Sequence, residues 1–159
     1  MATATINMIY CVQQATGTDV AVNEAIASLP EKIVPAELGV SSVLDAVRSL
    51  PGVISAIDTA RADPDDLYVT TETQGSVDNA IWPGSGQTID MQAGQSVTPG
   101  IAVNVAFSQN ISLWDEDVSG DDLLGSVTIM ESELGQGEIG KLAKSTVEGS
   151  FYYVVYTVN

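Results

Sequence analysis

The stretch Ile111-Ser-Leu-Trp-Asp-Glu-Asp-Val-Ser-Gly-Asp-Asp-Leu-Leu-Gly-Ser-Val-Thr-Ile129 decides the reading of the whole chain. Its two apolar runs, 111–114 and 123–129, read as strands. The loop between them carries Asp115, Glu116, Asp117, Asp121 and Asp122 with no Lys or Arg among them. Carboxylates crowded onto one short turn repel each other, and a fold accommodates them when a cation sits between them. The Asp-x-Asp spacing puts Asp115 and Asp117 on one side as the strand ends, and Asp122 returns from the next strand. Gly120 permits the sharp bend that lets several oxygens reach one point. Hard, oxygen-only ligand sets suit calcium better than zinc or copper. The plain alternative is an exposed acidic hairpin tip, because Asp and Gly favour turns for backbone reasons alone. The reading adopted is a calcium loop on a β-scaffold.

Two families have loops of this kind. In an EF-hand reading, Asp115, Asp117 and Ser119 fill positions one, three and five, with Gly120 at the sixth. Position twelve is then Ser126 where a bidentate Glu is required, and the flanks are strand-like rather than helical. The segments Leu113-Trp114-Asp115-Glu116-Asp117 and Asp122-Leu123-Leu124-Gly125 resemble more closely the third tip loop of C2 domains, β-sandwiches that bind calcium and often lipid through such loops. The loop here is one residue shorter than usual, with Asp121 as an additional acid. Asp66-Leu67-Tyr68-Val69 is similar to the end of that family's first tip loop, with Leu where Pro is usual. Asp66 and Asp115 are 49 positions apart, near the family's separation of its two liganding loops. The resemblance implies calcium ligands at Asp66, Asp115, Asp117 and Asp122. Asp121 would be a further ligand or an outer-shell acid. Asp63, Asp58 or Asp19 would stand in for the earlier first-loop acid, which has no clean counterpart. It also implies that Trp114 packs beside the metal.

Composition narrows the function. Five basic residues against twenty-one acidic give a net charge of −16. That excludes a nucleic-acid partner, which requires Lys and Arg clusters, and unaided binding to an anionic membrane. The acids are concentrated, four in 58–66 and five in 115–122, where a merely solvating surface would spread them. Without His, the commonest general base near neutral pH is missing, as are imidazole zinc sites. Cys11 is the single cysteine, so no intramolecular disulfide forms; in an apolar strand it reads as a small buried hydrophobe. Paired carboxylates suffice for glycoside hydrolysis, but nothing marks a cleft around one protonated acid. Lys141 and Lys144 are too isolated for a phosphate site, and no Lys, Arg or His stands beside the acids for metal-assisted phosphodiester chemistry. The chain therefore reads as no enzyme. No signal peptide is visible, and no apolar run approaches the ~20 residues of a membrane span.

Taken in order, 3–12 alternates as a first strand, and 13–19 turns. Residues 20–61 turn to helical periodicity. Ser42 with Asp45 resembles a capping box, Val43, Leu44, Val47 and Leu50 share a face, and Ile54 and Ile57 suggest a second short helix. Residues 20–29 suggest another, stopped by Pro30. Strands are expected from Leu67 onward, at 87–91, at 101–107, and at 151–158, where Tyr152, Tyr153 and Tyr156 belong to the core or a sheet face. Ser108-Gln109-Asn110 reads as a hairpin turn, 131–149 as a Gly-rich acidic connection with a turn of helix, and Trp82, beside Pro83, as exposed. The expected fold is mainly β: one domain over 1–159, a seven- or eight-stranded antiparallel sandwich, with a helical insertion at about 20–61 between the first two strands. The expected function is a non-enzymatic calcium-binding module whose tip docks, with Ca2+ bound, to a lipid or protein surface. A second expectation is a structural subunit of a homo-oligomer or larger assembly, in which calcium only rigidifies. Low charge density, many small residues and the β-rich last strand support it as the runner-up to the calcium module.

Overall fold

A computed structural model describes residues 1–15, 29–34 and 63–159. Most of the expected helical insertion, including Val47 and Ile54, lies outside the described residues. The part that falls within them, around Lys32 and Ile33, is a short strand and not a helix.

The described chain is mainly β, in two antiparallel sheets whose facing residues share one core, an arrangement consistent with a β-sandwich. Strand β1 (Ala2–Gln13) is central in the larger sheet. It pairs along its length with β10 (Ser150–Val158), which in turn pairs with β9 (Glu138–Ser145), and β2 (Lys32–Ile33) closes that edge. On its other side β1 pairs with β6 (Ile101–Val105) and β5 (Ser96–Val97). The smaller sheet runs β4 (Ile89–Met91), β3 (Asp65–Thr70), β7 (Ser108–Asp115), β8 (Asp122–Met130). Of these ten strands, seven have five residues or more.

Alternation along the strands sets the core. From the larger sheet come Ala4, Ile6, Ile9, Cys11, Tyr152, Val154 and Tyr156; from the smaller, Leu67, Val69, Ile111, Leu113, Val127 and Ile129. Cys11 is buried in the core, as expected of a small hydrophobe. The three tyrosines of the last strand are buried too, and each hydroxyl finds an acceptor: Tyr152 on Asp65 at 2.5 Å, Tyr153 on the Pro30 carbonyl at 2.7 Å, Tyr156 on Glu133 at 2.8 Å. Buried phenols require such partners.

Three expectations are corrected. The turn expected at Ser108–Asn110 is strand: β7 starts at Ser108, and the bend lies at Phe107, whose φ is 69°. There the chain turns tightly, Ser108 N–H donating to the Ala106 carbonyl at 2.8 Å, and passes from one sheet to the other, since β6 and β7 belong to different sheets. The connection expected over 131–149 holds a single 3-10 turn (Glu131–Glu133) followed by the eight-residue strand β9. Trp82 is half-buried against the core, and its carbonyl accepts a hydrogen bond from Val69 N at 2.9 Å.

Candidate metal centre

One pole of the smaller sheet gathers the acids. β7 ends at Asp115 where β8 begins at Asp122, and these two residues are register partners. On the other side of β7, Leu67 pairs with Asp115, so Asp66 lies one step beyond it. Its backbone N–H donates to Asp115 Oδ1 at 2.6 Å, and Glu116 N–H donates to the Asp66 carbonyl at 3.0 Å. The 49-residue separation read from the sequence is thus a direct cross-strand contact.

The loop between β7 and β8 is closed by its own side chains. Gly120 N–H bonds the Asp117 carbonyl at 3.2 Å, with Gly120 at a φ of 131° that L side chains rarely adopt. Asp121 accepts from Asp117 N–H at 3.3 Å through one oxygen and from the Tyr68 hydroxyl through the other. Asp121 therefore braces the loop to β3. Trp114 is buried on the outer face of this sheet with Tyr68 and Ala80, and its indole N–H donates to Thr70 Oγ1 at 3.1 Å.

Electrostatics at this pole are those of uncompensated acids. Asp115 is pushed up to about 6, first by burial and then by Asp66, Asp117 and Asp122, against the lowering effect of the Asp66 N–H. Asp66 is raised by burial and by its hydrogen bond and repulsion with Asp90, with Asp117 adding to it. Glu148, in the turn between β9 and β10, is raised by burial and by Asp122. The lysines are engaged elsewhere: Lys32 and Lys141 with Glu133, Lys144 with Glu31.

The sequence-predicted residues separate here. Asp66, Asp117 and Asp122 all act on Asp115, and Asp117 acts on Asp66. Asp121 is adjacent but holds the loop. Asp63 stands exposed ahead of β3. Asp58 and Asp19 lie outside the described residues. Asp65, one position from Asp66, points the other way into the core: buried, it accepts Ala15 N–H at 3.0 and 3.2 Å and the Tyr152 hydroxyl. Burial pushes Asp65 up to about 7, with Asp115 and Asp66 contributing. Two acids were not expected at the site, Asp90 and Glu148. Asp90 faces Asp66 directly across the β3–β4 pair. Its sequence signal is faint: a lone exposed acid between the apolar Ile89 and Met91 of a three-residue strand.

The donor chemistry, carboxylate and carbonyl oxygen only, fits a hard cation such as calcium. The side chains as they stand do not form a closed cage: among the described residues, no three His, Cys, Asp or Glu side chains converge as metal ligands. No protein-family model matches the chain, and no curated protein matches it.

Proposed function

We propose that this protein is a non-enzymatic calcium-binding β-sandwich module, similar in its acidic tip loops to C2 domains, whose loaded tip docks to a phosphate-bearing or acidic partner surface. The observation that carries the reading is that strand pairing gathers Asp66, Asp115, Asp117 and Asp122 at one pole of the smaller sheet. There Asp66, Asp117 and Asp122 add to the burial that raises Asp115, Asp117 adds to what raises Asp66, and every lysine of the chain is paired with a glutamate elsewhere. A divalent cation would relieve that repulsion and stabilise the ionised carboxylates. Asp66, Asp115, Asp117 and Asp122 would hold it, with Asp90 beside Asp66. Asp121 and Tyr68 would hold the loop in place around it.

Calorimetric titration tests this. Calcium should bind one site on the chain and magnesium much more weakly, because magnesium demands a tighter octahedral cage and surrenders its waters reluctantly. Asp117→Asn with Asp122→Asn should remove the binding heat. Calcium heats identical in wild type and double variant would refute the site.

A further inference from the structure

The chain has three lysines, Lys32, Lys141 and Lys144, and all three line one groove of about 500 Å3. Its walls are two strand edges: β8, the terminal strand of the smaller sheet, and β9 with residues 31–32 from the larger. Ser126 and Thr128 complete the lining, with Val127 and Leu142 buried beneath it. Lys141 is committed, its Nζ 2.6 Å from Glu133 Oε1 and 2.6 Å from the Thr128 carbonyl. Lys32 and Lys144 are freer: their side chains are 47% and 42% exposed, and their partners stand 3.9 Å away on Glu133 and 3.1 Å away on the exposed Glu31. Ion pairs this exposed are weak and yield to a better-placed carboxylate. Three ammonium groups face two carboxylates here, a local positive balance on a chain of net charge −16.

The matching surface is on the same molecule. The β7–β8 loop sets Glu116, Asp117 and Asp121 around Val118, whose side chain is fully exposed. A loop tip flanked by acids complements a groove flanked by lysines. We propose that this groove takes the acidic loop of a second copy of the chain. Loop and groove lie close together: Gly125, three residues into β8 from Asp122, packs against the Lys144 backbone. A two-fold axis beside them lets each copy place its loop in the other's groove, so the contact closes as a dimer instead of growing into a filament. Two molecules of charge −16 repel at long range. At ~0.15 M salt the Debye length is about 8 Å, which screens distant charges but not those in contact. The contact uses the loop without metal, so its failure would leave the calcium reading untouched.

Sedimentation velocity of the whole chain in chelator at physiological salt, from micromolar towards millimolar concentration, tests it. Wild type should shift from the mass of one chain to that of two. Lys32→Glu with Lys144→Glu should stay monomeric, as should Glu116→Lys with Asp117→Lys, each melting as a folded protein. An equimolar mixture of the two variants should regain the dimer, because each loop then meets a groove of opposite charge. Wild type that stays monomeric throughout overturns the proposal. So does a folded lysine variant that dimerises like wild type, or a mixture of folded variants that remains monomeric.

Discussion

At residue scale, neighbouring acids in one strand have opposite fates. Asp65 faces the core and Asp66 the tip, because side chains alternate along β3. Both are raised, but Asp65 by deeper burial, to about 7. An acid whose folded-state pKa lies above its unfolded value of 3.8 holds its proton more tightly when folded. Its ionisation then costs stability progressively as pH climbs from about 4 through about 7. The melting temperature in chelator should fall over that window, and Asp65→Asn, which keeps an acceptor for Ala15 N–H or Tyr152, should flatten the fall. An unchanged slope in the variant would show that Asp65 titrates normally. Gly125 offers a second test. A Cβ there would stand 2.4 Å from Lys144 N, and its φ is 147°. Gly125→Ala should destabilise the fold by at least about 1–3 kcal/mol, the usual cost of overpacking, measured by denaturant unfolding.

At element scale, what was legible in the sequence depended on unbroken patterns. β1, β7, β8 and β10 carry apolar runs, and their reading holds to within a few residues. β9 escaped because Gly140, Lys141 and Lys144 interrupt its pattern. In the fold, Gly140 is a seat for Ile33, since a Cβ would lie 2.5 Å from that side chain. Lys141 reaches over to Glu133. The bend at Phe107 was misplaced because Ser-Gln-Asn is good turn chemistry, whereas a positive φ on a phenylalanine is not foreseeable from propensity. At the site, the resemblance to C2 tip loops pointed to Asp66, Asp115, Asp117 and Asp122, and strand pairing brings these residues to one pole. Asp90 was not legible, because its partner is chosen by sheet assembly. Burial works against the Glu133 carboxylate, but hydrogen bonds from Lys141, Met130 N–H and Tyr156 hold it below the usual carboxylate range. Lys141→Met would remove the close partner of that carboxylate and leave it the Lys32 ammonium at 3.9 Å, and one-sided removal from a buried pair costs up to about 3–5 kcal/mol. The unfolding free energy near neutral pH should drop by that order, with a smaller drop in acid, where Glu133 takes up a proton. A loss under about 1 kcal/mol would place the pair among ordinary surface contacts.

At the scale of the whole molecule, a charge of −16 and a cluster of acids at one pole govern every encounter. Anionic vesicles should not retain the protein in chelator, because like charges repel across the interface. Tight co-pelleting without calcium would contradict that electrostatic picture. The central claim is that the polar cluster is built around a cation, and thermal unfolding with and without calcium tests it most directly. A ligand that binds only the folded state adds about 2.7 kcal/mol at a hundredfold excess over its dissociation constant. Calcium at that excess should raise the melting temperature of the wild type by several degrees relative to chelator. The same comparison should show no difference in Asp117→Asn with Asp122→Asn. Superimposable wild-type curves in calcium and in chelator would contradict the account.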